Sequence, residues 1–390
     1  GSGAFLVGGF TRNPGDDGNG GTWAMTYLQT ATDIQNASPN HISLSTNNLP
    51  SGVTNSGTDA SEDGTVHFFS ISERSSDGGF LVSSNNDYLW AVDGSGGVTY
   101  KQLNSNVGSH QWIDYIKYSY QTSDGGYIIL GEVRSQDSSN QWPIIAKLDS
   151  GLNREYYKIL NEHDTDTSLN FTSNKISMVQ VGNGLQPVYY IIAENQQTNI
   201  SGTNKIHFYK VHDDGSQLFV SQNINLSSIA NSPTQLSNQS GSYDNMAYLS
   251  GSGDGDEEFV TITSDGSGET DLTRYNVDTS GAVPTAQILS TYSLGSNERH
   301  MEILNTDNHI YVVSQSGNDI KVSNFSSALS LRWEKTLDIT SLQQQDKFGG
   351  ATSIQFGTNG TGIAITGSTK DGDNWDGFIL LLDDNGSRIY

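Results

Sequence analysis

The chain has 390 residues, of which 34% are hydrophobic and only 16% charged, and it contains 43 glycines and no cysteine. Its 43 acidic and 19 basic residues give a formal net charge of −24, which repels phosphate backbones and argues against a nucleic-acid partner. The lack of cysteine excludes disulfides, thiolate catalysis and a cysteine-based zinc site.

Short apolar runs that follow glycine-rich turns recur along the whole chain. Valine, isoleucine and aromatic residues fit a pleated sheet, and glycine, asparagine, aspartate and serine form turns. Each run therefore predicts a hairpin followed by a strand. In chain order, the clearest copies are residues 3–9 (GAFLVGG), 75–84 (SSDGGFLVSS), 122–131 (TSDGGYIILG) and 358–367 (TNGTGIAITG). Weaker copies are residues 188–193, 259–263 and 310–314.

A second repeated signal is a hydrophobic-Asp-x-x-Gly turn that ends the following apolar strand. An aspartate side chain can accept a hydrogen bond from the backbone two residues on, and glycine can take the left-handed position that closes the hairpin. We therefore interpret these aspartates first as turn residues. The copies are residues 92–96, 148–151 (one residue shorter), 211–215 (with His212 at the aspartate position), 277–281 and 382–386.

Together the two turns define a unit of four strands, a to d, joined by an a–b hairpin, a b–c loop and a c–d hairpin. Residues 114–160 are the best example. Repeats of roughly 40 to 50 residues with four strands are typical of β-propeller blades. We therefore predict one all-β propeller domain over residues 1–390, with seven blades and with six or eight as alternatives. The predicted blades are residues 1–49, 67–105, 114–160, 172–226, 243–294, 298–339 and 348–390.

Two of the predicted blades lack part of the repeat signature. The first unit lacks a visible strand a, and residues 298–339 lack the aspartate turn. A pair of β-sandwiches is the alternative architecture, but it does not explain why the same hairpins recur at both ends of the chain. No segment has a sustained helical period, which argues against α/β enzyme folds.

The repeat in residues 114–160, with its TSDGGYIILG and Lys147-Leu-Asp segments, resembles one found in secreted and surface-lipoprotein β-propellers of the Bacteroidota. Residues 67–105 and 348–390 match it in part. The resemblance implies an adhesive, scaffolding or surface-complex role outside the cell or on the outer-membrane surface of a Gram-negative bacterium. It is compatible with a lipid anchor ahead of Gly1. No run reaches the roughly 18 apolar residues that span a bilayer, so we expect no membrane-spanning segment.

Long, variable connections predict where a partner would bind. In a four-stranded blade the b–c and d–a connections meet on one face, and variable loops on a rigid scaffold concentrate binding residues. Four tryptophans map near that face and could stack on sugars or anchor a protein: Trp23, Trp112, Trp142 and Trp375. The competing interpretation is that these rings pack between blades.

Acidic residues suggest two further hypotheses. Residues 370–377 resemble a calcium loop with Asp371, Asp373 and Asp376 as ligands, although they are one residue out of step with an EF-hand and lack its closing glutamate. Solvated turn aspartates are the competing interpretation, and we otherwise expect no cofactor. Glu132 and Glu194 end equivalent strands and are the weak candidates for a glycosidase pair. No histidine spacing for zinc and no Gly-x-Ser-x-Gly elbow is present.

We therefore expect a non-enzymatic propeller that binds or scaffolds a bacterial surface complex, with a cell-surface protein or a polysaccharide as partner. A glycan-binding, lectin-like module is the first alternative. A glycoside hydrolase or lyase that uses paired carboxylates is the second.

Overall fold

A computed structural model of the chain describes residues 5–8, 23–28, 40–44, 68–74, 77–84, 88–95, 97–103, 110–135, 141–160, 169–181, 188–197, 205–233, 235–236, 245–251, 256–264, 269–280, 284–296, 298–306, 309–337, 346–355, 361–371 and 374–389. Before Ser70 the backbone alone is described. Nearly all of these residues lie in strands or in the tight turns between them. Among them, no helix is long and apolar enough to cross a membrane.

The strands form seven antiparallel sheets that follow one another along the chain, numbered here as blades 1 to 7. Blade 1 consists of β1 (Phe5–Gly8), β2 (Trp23–Leu28) and β3 (Asn40–Leu44). Blade 2 consists of β4 (Phe68–Arg74), β5 (Gly79–Ser84), β6 (Tyr88–Val92) and β7 (Val98–Gln102). Blade 3 consists of β8 (His110–Gln121), β9 (Tyr127–Ser135), β10 (Gln141–Leu148) and β11 (Arg154–Ile159).

The remaining blades continue the same order. Blade 4 consists of β12 (Leu169–Val181), β13 (Val188–Gln197), β14 (Lys205–Asp213) and β15 (Leu218–Asn225). Blade 5 consists of β16 (Gln235–Leu236), β17 (Met246–Gly251), β18 (Asp256–Ser264), β19 (Thr270–Asp278) and β20 (Thr285–Gly295). Blade 6 consists of β21 (Glu298–Thr306), β22 (His309–Ser316), β23 (Asp319–Ser326) and β24 (Leu331–Leu337). Blade 7 consists of β25 (Asp346–Gln355), β26 (Thr361–Asp371) and β27 (Asn374–Asp383).

This order confirms the predicted all-β propeller: blades 2, 3, 4 and 6 have the expected four strands, blade 5 has five, and three strands are described for each of blades 1 and 7. Within a blade each strand pairs with the next one in sequence, except that β16 and β17 both pair with β18 and share the place of strand a. Six blades have described side chains, and blade 1 adds a three-stranded sheet described by its backbone. A single turn of 3-10 helix, Leu226–Ser228, follows blade 4.

The hydrophobic core lies between the blades, in clusters that each join two consecutive sheets. Ile128, Leu130 and Ile145 of blade 3, for example, share one cluster with Ile191 and Val211 of blade 4. Similar clusters join blades 2 and 3, 4 and 5, 5 and 6, and 6 and 7. Because both faces of these blades are buried, their central strands are apolar runs rather than alternating ones.

In the Asp-Gly-Gly hairpin between strands a and b, each residue is required for a different physical reason. The Oδ1 atom of Asp124 accepts a hydrogen bond from the Gly126 N–H at 3.0 Å, and Gly125 has φ +82°. A Cβ on Gly125 would meet nothing, whereas a Cβ on Gly126 would lie closer than 3.0 Å to the carbonyl oxygen of Leu148. The first glycine is therefore needed for its backbone conformation and the second for lack of space.

The aspartate turns between strands c and d also form as predicted. The Oδ1 atom of Asp149 accepts from the N–H groups of Gly151 and Asn153, at 2.9 and 2.7 Å. The expected left-handed glycine is absent from this shorter copy, because Leu152 takes that position with φ +63°. Leu152 is only 2% exposed and packs in the cluster between blades 2 and 3, and this burial offsets the backbone strain.

Two other blades depart from the expected turn chemistry. In blade 4 the role expected at the His212 position belongs to Asp213, which accepts from the Gly215 N–H at 2.8 Å. Blade 6 lacks the aspartate, and the Ser326 hydroxyl accepts from the Ser330 N–H at 3.2 Å in its place. A serine oxygen can accept the same local bond, so this blade keeps four strands without the sequence signature.

Candidate functional site

The predicted binding tryptophans are only partly within the described residues. Trp142 is half-buried and packs against the clusters on both faces of blade 3. The backbones of Trp23, Trp112 and Trp375 lie in β2, β8 and β27, and their side chains lie outside the described part. For Trp142 the contacts match the competing interpretation of packing between blades, and a binding role for the four rings stays a prediction.

Two of the three proposed calcium ligands, Asp371 and Asp376, lie in paired strands of blade 7. Asp371 ends β26 and pairs with Asn374, the first residue of β27, and Asp376 pairs with Thr369. Asp373 and the side chains of Asp371 and Asp376 lie outside the described residues. In the part of the chain that is described, no group of three His, Asp or Glu side chains is placed to hold a metal ion. Calcium binding here stays a prediction.

The two candidate catalytic carboxylates are both fully buried. Glu132 and Glu194 are each 0% exposed. Glu194 forms an ion pair with Lys175 at 2.7 Å and accepts a hydrogen bond from the Leu236 N–H of blade 5, also at 2.7 Å. These contacts hold the Glu194 carboxylate inside the joint between blades 4 and 5, where it satisfies a backbone donor.

The same kind of bond recurs between blades 6 and 7. The Oε1 atom of Gln315 accepts from the Phe348 N–H at 2.8 Å, and the Oε2 atom of Glu302 accepts from the Ala351 N–H at 2.8 Å. Glu194 and Gln315 both lie in strand b, after its apolar residues. At these two positions the polar side chain bonds to the next blade, and the sequence analysis interpreted Glu194 as a weak catalytic candidate.

A second polar group lies near the a–b and c–d hairpins, between blades 3 and 4. The ammonium of Lys147 is 2.5 Å from Asp124 Oδ2 and 3.4 Å from Asp213 Oδ2, and its side chain is 1% exposed. Tyr156 donates from its hydroxyl to Asp213 Oδ1. Lys147 thus bonds to its own blade and to the next one.

An equivalent group joins blades 4 and 5, one blade further along the chain. Lys210 corresponds to Lys147, and its ammonium is 3.5 Å from Oε1 of the fully buried Glu257. The hydroxyls of Tyr190 and Tyr248 donate to the two oxygens of Glu257. Sequence reasoning missed both groups, although the Lys-Leu-Asp repeat marked the lysine position.

The phenols of Tyr190 and Tyr248, which bond to Glu257, stay protonated and neutral. Burial, followed by the hydrogen bond to Glu257, raises the pKa of Tyr190 and of Tyr248 far above its ordinary value. A general base needs a pKa close to the working pH, so neither phenol can act as one at neutral pH. Gly251 lies directly against the pair, since a Cβ there would overlap Glu257 and Tyr248. The arrangement is closely packed.

The Lys147 group is expected to make the folded protein less stable at low pH. Burial alone would raise the pKa of Asp124, but hydrogen bonds from Lys147, Thr122 and the Gly126 N–H outweigh it and lower that pKa from 3.8 to about 2. Because the folded pKa is depressed, this stabilisation is full above pH 3.8 and is lost as the pH falls through about 2. We expect the difference in free energy of unfolding between the wild type and Asp124→Asn to shrink over that range.

Denaturant unfolding at a series of pH values measures this difference. The exposed Asp256 provides the matched control, because Asp256→Asn removes the same charge from an exposed position at the start of β18. A difference for Asp124→Asn that stays constant down to pH 2 would contradict the assignment.

Comparison with known proteins adds information on the fold. No family model and no curated protein matches the chain. The crystal structure of polysaccharide lyase Uly1 superposes with a TM-score of 0.55 at 9% identity, over 98% of this chain and 90% of that one. At this identity the likeness supports a shared fold alone.

Two other solved structures are more distant. The Dos1 propeller has a TM-score of 0.45 at 10% identity, over 83% of this chain and 69% of that one. An exo-β-1,3-galactanase from Clostridium thermocellum has a TM-score of 0.41 at 13% identity, over 76% of this chain. The chain spans 62% of the galactanase, less than two thirds of its length. Structural neighbours thus include glycoside hydrolases, sialidases and a polysaccharide lyase.

Proposed function

We propose that the chain is a non-enzymatic β-propeller that acts as a binding or scaffold subunit of a bacterial surface complex. The observation that carries this proposal is the use of the buried polar groups. Glu194, Lys147, Lys210 and Glu257 bond across the joints between blades, and Glu132 is fully buried. Glu194 is thus bonded within the joint between two blades, and both candidate carboxylates are closed off from solvent, which supports a structural role for them.

A rigid ring of this kind is suited to presenting loops. Its core is divided into clusters that fix each blade to the next, so the connections between strands are held on a stable frame. The net charge of −24 keeps such a protein soluble and favours partners with basic surfaces. Its location at the outer surface of a Gram-negative cell is part of the proposal.

Native purification tests the scaffold role directly. We expect a partner protein to be recovered with the chain in fixed stoichiometry from membranes or from culture medium, after cross-linking and mass spectrometry. Recovery of a monomer alone under both conditions would contradict the scaffold role.

Carbohydrate recognition is the second candidate, and the specific observation in its favour is the likeness to a polysaccharide lyase over 98% of the chain. Specific glycan-array binding by the purified wild-type chain would favour this candidate over the scaffold. An array without hits would remove it.

A further inference from the structure

The last strand of blade 5 differs from the last strands of the other blades in length and in charge. In blades 2 to 6 this outer strand pairs on one side only within the described part of the chain. β20 has 11 residues and no charged side chain, whereas β7, β11 and β24 have 5, 6 and 7 residues and each contains lysine or arginine. β15 is also uncharged but has 8 residues. Short length and charged side chains keep an edge strand from pairing with another chain, and β20 has neither.

The bulge in β20 provides a second difference. The outer strands of blades 3 to 6 each contain a residue that is skipped in the pairing with strand c. The first such residue is Glu155, Ser221 and Arg332 in blades 3, 4 and 6, and Leu289 in blade 5. All four side chains are exposed, that of Leu289 by 40%. Blade 5 therefore presents an apolar side chain to solvent where the other three blades present a polar one.

Acidic side chains flank β20 at both ends, while its middle is neutral. Asp278 pairs with the first residue of β20, and Asp271 pairs with a residue near its end. The exposed Glu269 lies just beyond Asp271 in the sequence. Between these ends Arg274 also pairs with β20, but its charge is compensated by Glu258 at 2.6 Å. A strand added to β20 would thus have acidic groups near its two ends and no net charge beside its middle.

The charge of the whole chain argues against a second copy as the occupant of this edge. Two copies with a net charge of −24 each repel one another, and two β20 strands side by side would bring their acidic ends together. A partner strand with lysine or arginine on either side of an uncharged middle is complementary to these charges. Addition of an extended segment to a sheet edge is a general mode of recognition, in which the backbone hydrogen bonds provide affinity.

We propose that the outer edge of β20 is a docking site for an extended segment of a partner protein, uncharged along β20 and with basic residues beyond both ends. This inference rests on the proposed binding function, and it names the place of contact and the chemistry of the partner. The added segment extends blade 5 by one strand and bonds to the outer backbone groups of β20. An apolar side chain of the segment packs beside Leu289.

Binding of a designed peptide by the full chain tests the strand addition. The probe is a labelled peptide of alternating threonine and valine with lysines at both ends. One reference peptide has proline in the middle, which prevents pairing as a strand, and another has glutamates in place of the lysines. Fluorescence anisotropy gives the dissociation constants, and we expect the probe to bind about tenfold tighter than either reference. Hydrogen exchange of the β20 amides is expected to slow when the probe is bound.

A pair of matched variants locates the contact. Leu289→Lys places a charge on the edge of blade 5, and Ser221→Lys adds the same charge at the bulge of blade 4. We expect Leu289→Lys to weaken binding of the probe about tenfold and Ser221→Lys to change it less than about twofold, each with an intact unfolding transition. Equal effects of the two variants, or equal binding of the probe and the proline peptide, would overturn the proposal.

Two further outcomes distinguish the edge from the scaffold role. A wild-type dimer that grows with concentration and is lost in Leu289→Lys would assign the edge to a second copy and overturn the proposal. A natural partner that co-purifies equally with the wild type and with Leu289→Lys would leave the scaffold role intact and exclude the edge as its site.

Discussion

Replacing Lys175 with methionine is expected to lower the free energy of unfolding by about 3–5 kcal/mol. The ammonium of Lys175 lies 2.7 Å from Glu194 Oε1, and the two side chains are 4% and 0% exposed. Removal of the cation leaves a buried carboxylate that still accepts from the Leu236 N–H but whose charge Lys175 no longer compensates. Chemical denaturation monitored by circular dichroism measures the loss.

Two variants make this result specific. Adding Glu194→Gln to Lys175→Met removes the uncompensated charge and keeps an acceptor for the Leu236 N–H, so we expect at least half of the stability to return. The Lys321–Glu334 pair is the matched control, because its side chains are 17% and 41% exposed. Lys321→Met should cost no more than about 1 kcal/mol. A similarly small loss for Lys175→Met would contradict the structural role of Glu194.

Substitution of the second glycine of the Asp-Gly-Gly hairpin is expected to be the next most damaging change. In Gly126→Ala the new Cβ would overlap the carbonyl oxygen of Leu148 and lie 3.1 Å from Cε of Lys147. The backbone must shift at the point where β9 and β10 pair, which we expect to cost about 3 kcal/mol.

The first glycine of the same hairpin serves as the control. Gly125→Ala meets no neighbouring atom and costs only the left-handed conformation at φ +82°, about 1 kcal/mol. Thermal and denaturant unfolding of both variants gives the comparison. If Gly125→Ala were the more damaging of the two, the close approach of the strands would not be the reason for the second glycine.

Local chemistry explains why the fold could be predicted from the sequence. The bond from Gly126 N–H to Asp124 and the bonds from Gly151 and Asn153 to Asp149 span two to four residues, so the motif contains both partners. Repetition of such motifs at a period suited to four strands then indicates a propeller.

Contacts between blades could not be predicted in the same way. Glu194 bonds to a backbone group 42 residues away, and Tyr190 bonds to Glu257 across 67 residues. Nothing at Glu194 itself distinguishes a buried tie from a catalytic carboxylate, since both require a polar residue at the end of a strand. Leu152 is a similar case, because the burial that offsets its left-handed conformation comes from blade 2.

The most direct test of the central proposal, that this propeller binds a partner and does not catalyse a reaction, is a turnover assay of the purified wild-type chain. A panel of plant, algal and bacterial polysaccharides would be incubated with the chain, and new reducing ends and new carbon–carbon double bonds would be measured. We expect no product above that of a heat-unfolded control. Product that forms with the folded chain and is lost in Glu132→Gln or Glu194→Gln, each checked for an intact fold, would contradict the account.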